Sequence, residues 1–189
     1  MKEKLHEKFL LYRLQTKKDP EAYGALYDVY VARIYRFIFF KVKTKEEAED
    51  LTSEVFLKAW HYITEHAEVY NFSALLYRIA RNLIIDHYRT EKKRADDVAL
   101  LGDDELEDTG NRGVQQQIPM AEMNELAGEH MEIYLRKLKD DYREVITMRY
   151  IDELPMGDIA TILDKSEVNV RVTLHRALKA LRRLMEQKI

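Results

Sequence analysis

Apolar residues along this chain recur three and four positions apart and never alternate, so the pattern predicts helices and no strands. One stripe runs through Ala22, Leu26, Val29, Tyr30, Ile34, Phe37, Ile38 and Val42. Just before it, Asp19-Pro20-Glu21 marks a helix start: the Asp carboxylate can cap free amides, Pro is preset for the first helical position, and Glu complements the dipole. Thr44-Lys45-Glu46-Glu47 fits a capping box opening a second helix that turns Ala48, Leu51, Val55, Phe56, Ala59, Trp60 and Ile63 inward. After a loop from His66 to Phe72, Ser73 can cap a third helix burying Leu76, Ile79, Ala80, Leu83 and His87 or Tyr88. Ahead of all three, Leu5, Phe9, Leu10 and Leu14 outline an amphipathic extra helix. Further along, helices are expected over Met120 to Leu138, Asp141 to Tyr150, Pro155 to Leu163 and Ser166 to about Met185.

Charge divides the chain. Its 189 residues carry a formal net charge of -3, which alone argues against nucleic acid, but the average hides the distribution. Between Asp96 and Glu129 ten acids face Arg112 alone, a local -9, so the remainder sums to +6. Four of the six glycines, a Gln run and Pro119 lie in the same stretch, whose first half has the character of a flexible acidic connector. Sixteen of the nineteen aromatic residues lie at or before Tyr88, so the flanking halves differ in kind. The expectation is an all-α protein of two small helical domains: residues 1–18 an N-terminal extension, 19–95 the first domain, 96–118 the acidic linker and 119–189 the second domain. With no cysteine, thiolate metal sites and a cysteine nucleophile are excluded by inventory. No uncharged run exceeds nine residues, so neither a bilayer span nor a secretory leader is expected, and the cytoplasm is the expected compartment.

Pro155 to Leu163, three residues, then a helix with Val170, Leu174, Leu178 and Leu181 inward spell a helix-turn-helix, with Ala160 small enough for a close crossing. The outward face of the second helix carries Asn169, Arg171, Thr173, His175, Arg176, Lys179, Arg182 and Arg183, and from Lys165 onward the net charge is +5. Duplex reading needs this arrangement, with base contacts near the helix start and phosphate contacts farther on. A solvated basic face on a bundle would share the pattern. The turn, Asp164-Lys165-Ser166, lacks the usual Gly, although Asp tolerates a left-handed conformation.

In the first domain, Arg78, Asn82, Asp86, Arg89 and Lys93 follow at steps of four, four, three and four, one outward stripe on the third helix. The loop before it offers His61, Tyr62, Tyr70, Asn71 and Phe72. Aromatic faces, amides and cations together suit unstacked bases and their backbone, which points to single-stranded DNA. The same aromatics could instead seal a small core. No Gly-rich phosphate loop, paired-His metal motif or Ser, His and acid constellation occurs, so neither catalysis nor a cofactor or metal is expected.

These residues together resemble a bacterial RNA polymerase sigma factor of the extracytoplasmic-function type, over nearly the whole chain beyond residue 18. Asp19-Pro20-Glu21-Ala22-Tyr23 with Ile34-Tyr35-Arg36-Phe37 is similar to the opening of that family's sigma-2 domain. The string from Ala48 to Trp60 resembles its polymerase-binding helix, and that from Leu76 to Arg89 its promoter-melting helix. Arg143-Glu144-Val145, Arg149-Tyr150, Asp158-Ile159-Ala160 and Leu174-His175-Arg176-Ala177 resemble the sigma-4 domain. The chain departs from the family at Lys139-Asp140, at Asp164-Lys165 and at Val168-Asn169, which bears on the upstream promoter sequence.

The resemblance implies a sigma factor that directs core polymerase to promoters and promotes melting. It places Asp50, Glu54, Val55 and Lys58 on the clamp helices of the largest polymerase subunit, with the β-subunit flap a further partner surface. Tyr70, Asn71, Phe72, Arg78, Asn82 and Arg89 would capture the non-template strand of the minus-ten element. Asn169, Arg171, His175, Arg176 and Lys179 would hold the minus-thirty-five duplex, Asn169 and Arg171 reaching base edges. An anti-sigma protein is an implied partner. Two rival functions use the same residues: a stand-alone helix-turn-helix regulator, and a sigma-like adaptor without initiation activity.

Overall fold

The computed structural model describes residues 2–65, 68–99 and 129–186. Every regular element among them is helical: α1 Lys2–Lys17, α2 Pro20–Phe39, α3 Lys45–Glu65, α4 Phe72–Ala99, α5 Glu129–Lys137, α6 Asp140–Ile146, α7 Met156–Leu163 and α8 Glu167–Glu186. The expected start of a helix at Met120, and the expected linker from residue 100 onward, lie outside the described residues; α4 itself continues to Ala99, past the expected linker start at 96.

Two of the local signals act as expected. Asp19 Oδ1 accepts from the Glu21 and Ala22 amides at 3.0 and 3.3 Å, with Pro20 in the first turn. The capping box closes both ways: Thr44 Oγ1 accepts from the Glu47 amide at 3.1 Å, and Glu47 Oε2 accepts from the Lys43 and Thr44 amides at 2.9 and 3.0 Å. The third cap is a correction. Asn71, not Ser73, starts α4, its Oδ1 accepting from the Ala74 amide at 2.9 Å, while Ser73 is buried one turn position in.

Helices α2, α3 and α4 bury Leu26, Ile34, Phe37, Val55, Ala59, Leu76 and Ala80 between them. α1 lies along α2 and reaches α3, sinking Leu10, Leu11 and Leu14, so the N-terminal extension is part of the first domain. Each such side chain contributes roughly 1.5–3 kcal/mol of burial. Val29, expected inward, is half exposed.

In the second domain α6, α7 and α8 enclose Val145, Ile159, Ile162, Val170, Leu174 and Leu181. The single helix expected from Asp141 to Tyr150 is instead α6 followed by a π-helical turn, Thr147–Ile151, in which the Asp152 amide reaches back five residues to Thr147 O at 2.9 Å. The extra residue in that turn, with Arg149 Nη1 donating to Leu154 O at 2.9 Å, sets Asp152 where it faces α2 and α4. Asp164 ends α7 at φ 53°, ψ 46°, the left-handed conformation its side chain tolerates. Asp164→Val should therefore lower stability by about 1–2 kcal/mol, whereas Asp164→Gly should stay within about 1 kcal/mol of wild type; urea unfolding midpoints compare the two.

The domains are docked on each other, which the charge division did not anticipate. α4 packs on α7, and Tyr77 and Ile84, outside the stripe predicted for α4, are buried, Tyr77 edge-on to Phe37 of α2 at 5.0 Å and bonded to Asp152 of the second domain. Arg143 is the knot on the other side: its guanidinium donates to the carbonyls of Leu135, Arg136 and Leu138 in its own domain at 2.9–3.0 Å and to Phe40 O at 2.6 Å. Arg136 adds a bond to Phe39 O at 3.3 Å and lies 4.7 Å from the Phe39 ring centre.

Candidate nucleic-acid interface

Three surfaces follow from this scaffold. On α3, the inward positions Leu51, Val55, Phe56 and Ala59 fix which residues face out: Asp50, Glu54 and Lys58 are exposed on one side, the last two paired at 3.2 Å. Val55 is fully buried, so the contact role the resemblance assigns to it is corrected to support of the helix from beneath. Leu57, 58% exposed between Glu54 and Lys58, is the member of this face that sequence reasoning passed over. Its signal was an apolar residue off the inward stripe.

The second surface joins the loop before α4 to the outward stripe of that helix. Arg78, Asn82, Asp86 and Arg89 are exposed in register as the spacing predicted, and Arg89 lies 3.8 Å from Asp86. Tyr70 is 84% exposed, its hydroxyl donating to Glu68 at 2.6 Å, and this bond raises the phenol above its ordinary value. Phe72 is a second correction: it is fully buried, edge-on to Tyr23 and Tyr30 at 6.2 and 5.5 Å, because the first turn of α4 closes over the core. Trp60, 5.1 Å from Tyr23, belongs to the same aromatic cluster. Asn71 is engaged at both ends, Oδ1 as the α4 cap and Nδ2 donating to Asp158 Oδ1 of α7 at 3.0 Å.

The third surface is the start of α8. Ser166 Oγ accepts from the Asn169 amide at 3.3 Å, and Val170, Leu174 and Ala177 turn inward, which leaves Asn169, Arg171, His175, Arg176 and Lys179 exposed together. Arg171 pairs with Glu167 at 3.0 Å. Val168 and Val172, 64% and 44% exposed, stand one turn apart on this face and were not predicted.

Between the domains lies a row of opposed charges. Arg36 Nη2 is 2.7 Å from Asp152 Oδ1, and the Tyr77 hydroxyl donates to Asp152 Oδ2 at 2.7 Å. Arg81 Nε meets Glu144 Oε1 at 2.8 Å while its Nη1 donates to Ile162 O at 3.2 Å. Lys41 Nζ reaches Asp140 at 3.2 Å and Glu144 at 3.5 Å. Burial pushes the Asp152 carboxyl above its usual range in spite of Arg36 and Tyr77, and burial with the adjacent carboxylate pushes the Tyr77 phenol well up. Among the described residues no three His, Asp or Glu side chains could hold a metal ion, and no helix is long and apolar enough to cross a membrane.

Residues 26–94 match the model of sigma-70 region 2, and residues 134–181 that of sigma-70 region 4. The ECF RNA polymerase sigma factor SigM of Bacillus subtilis is 32% identical over 167 residues, 87% of this chain and 95% of that protein. SigW of the same organism is 33% identical over 174 residues, 89% and 92%. BldN of Streptomyces coelicolor is 31% identical over 170 residues, 88% of this chain and 61% of that protein. Among solved structures, CnrH in complex with the cytosolic domain of CnrY superposes with a TM-score of 0.69 at 19% identity over 97% of this chain and 99% of that one. RpoE in complex with the anti-sigma factor NepR from Bartonella quintana gives 0.62 at 20% identity, over 88% and 98%. Both share the fold.

Proposed function

Because the chain belongs to the sigma-70 family, as an RNA polymerase sigma factor of the extracytoplasmic-function type, we propose that it directs core polymerase to promoters through the three surfaces just described. Sigma factors are not enzymes, and this one works by binding. Asp50, Glu54 and Lys58, with Leu57, dock on the clamp helices of the largest subunit. The strand surface takes the melted minus-ten bases, Tyr70 by stacking, Asn71 and Asn82 at base edges, Arg78 and Arg89 at phosphates. Strand opening is driven by the better binding of the single strand than of the duplex. The α8 face holds the minus-thirty-five duplex, with the β-subunit flap beside it. The observation that carries this reading is the exposed register of Arg78, Asn82 and Arg89 beside Tyr70, inside the stretch that matches region 2. An anti-sigma protein is the expected antagonist, since RpoE, which shares this fold, is held in a complex with an anti-sigma factor, and the cytoplasm is the proposed place of action.

Run-off transcription with purified core polymerase, on promoters taken from transcript starts mapped after overexpression, tests the proposal. A promoter-specific transcript that requires the chain is expected. Tight, specific promoter binding by the chain without polymerase would instead mark a stand-alone regulator, and association with polymerase without any transcript an adaptor.

On the upstream duplex, Arg171→Ala is expected to relax sequence choice by about 1–3 kcal/mol at the base it reads, whereas Lys179→Ala weakens all sequences alike. Val168 and Val172 are suited to thymine methyl groups on the same face. Competition binding of the holoenzyme to single-base promoter variants separates these effects, and equal profiles for the two variants would contradict the split.

A further inference from the structure

The loop before α4 carries the most exposed aromatic ring among the described residues, and it does so between two anchored neighbours. Tyr70 is 84% exposed, while Val69 before it is buried and Phe72, two residues on, is buried completely. Asn71 is fixed as the α4 cap through the Ala74 amide at 2.9 Å. On the other side of Tyr70 the anchor comes from α1: Gln15 Nε2 donates to Val69 O at 2.6 Å, across 54 residues of sequence. Gln15 is itself held in place. Leu14 beside it is fully buried, and Arg13 pairs at 2.5 Å with Asp19, the α2 cap, so the last turn of α1 can neither rotate nor slide.

The peptide group is planar, so a bond that fixes Val69 O also fixes the direction of the Tyr70 amide joined to it. With Asn71 fixed on the far side, the backbone of Tyr70 is set at both ends and the side-chain torsions alone are left to turn. We propose that Gln15 is a positioning residue for strand capture: its amide presets the loop so that the Tyr70 ring stands out from the core, ready for a base to stack on it. α1 thereby belongs to the strand-reading apparatus, although it lies ahead of the residues 26–94 that match region 2. The inference rests on the reading of Tyr70 as a stacking residue and adds what holds it there. Without the anchor, strand binding has to fix the loop backbone itself, and ordering one residue weakens capture about five- to thirtyfold.

The test uses holoenzyme assembled from core polymerase and the full chain. The probe is the single-stranded non-template minus-ten segment of a promoter from the mapped transcript starts, with 2-aminopurine at each position in turn. Stacking on Tyr70 should quench the probe at one position, and Tyr70→Ala should abolish that quench and weaken binding at least about fivefold, the low end for loss of a stacked base. Gln15→Met keeps the length of the side chain and removes the donor; it should reduce the quench at the same position and weaken binding about five- to thirtyfold, with core-polymerase affinity unchanged. In the Tyr70→Ala chain the same change should cost less than about twofold, because its effect passes through the ring. Gln15→Lys restores a donor and should recover the quench, whereas Gln15→Met with Thr16→Lys adds the same charge at an exposed position without the donor and should not. Circular dichroism melting confirms that each variant folds. No effect of Gln15→Met, its full effect in the Tyr70→Ala chain, equal quench in the two lysine variants, or a matching loss of polymerase affinity each overturns the proposal with the strand site intact. If the parent holoenzyme takes no strand, or Tyr70→Ala changes nothing, the strand reading itself fails and the anchor falls with it.

Discussion

Asp152→Ala should part the two domains while leaving each folded. Asp152 is buried at the joint, and both of its oxygens are used, one by Arg36 and one by the Tyr77 hydroxyl, each at 2.7 Å. Removing the carboxylate leaves a largely buried guanidinium and a fully buried phenol without an acceptor from the second domain. Breaking a buried pair in this way costs about 3–5 kcal/mol. Separation returns Arg36 to water, so the loss is taken from docking rather than from either core. Energy transfer between dyes on the two domains should collapse, and the thermal transition should divide in two; a single unchanged transition would refute the expectation. Asp152→Asn should be much milder, since the amide oxygen can still accept from Arg36. The pH dependence has a definite sign. Because burial raises Asp152 in the docked state, its contribution to docking is fully present below the ordinary carboxylate value of 3.8 and is lost as pH rises through the raised value. The pair therefore positions the domains more than it stabilises them, since the desolvation of the ionised carboxylate outweighs its attraction to Arg36.

The elements of each domain were legible because their signals are local. The inward stripes of α2 and α3, the Asp19 cap, the Thr44 and Glu47 box and the left-handed Asp164 depend on neighbours within a turn or two. The outward stripe of α4 was legible for the same reason. Family likeness and periodicity disagreed at Val55, and periodicity decides it: a residue on the inward stripe of α3 is core before it is contact; Phe72, expected in the loop, is core because α4 begins at it. What the pattern could not give was the meeting of the halves. Tyr77 is buried between Phe37 of α2 and Asp152 of the second domain, and Asp152 reaches it from a π turn after α6, an insertion without a composition of its own. Summed charge pointed the wrong way here as well. A second domain that is basic along α8 can still dock on a basic first domain through the acids of α6 and α7, because the two signs lie on different faces.

That arrangement leaves the α3 face uncovered, and the second large effect is expected there. Asp50, Glu54 and Lys58 remain exposed while the domains are docked, so a partner can reach the α3 face without parting them. The Glu54–Lys58 pair at 3.2 Å offers little resistance, since an exposed pair of this spacing is worth only about 0.3–0.5 kcal/mol. Leu57 supplies the apolar centre that a charged rim alone would lack. Asp50→Lys with Glu54→Lys should therefore weaken association with core polymerase by at least about thirtyfold, the lower end of the 2–5 kcal/mol lost when a charge in a hydrogen-bonded interface pair is removed. Val55 and Ala59 beneath the face are untouched, so the melting temperature should hold, and energy transfer between the domains should equal that of the parent chain. Fluorescence anisotropy of the labelled chain titrated with core polymerase measures the affinity. Retained affinity would move the polymerase contact away from α3, and lost affinity with lost energy transfer would mean that docking and polymerase capture share a surface.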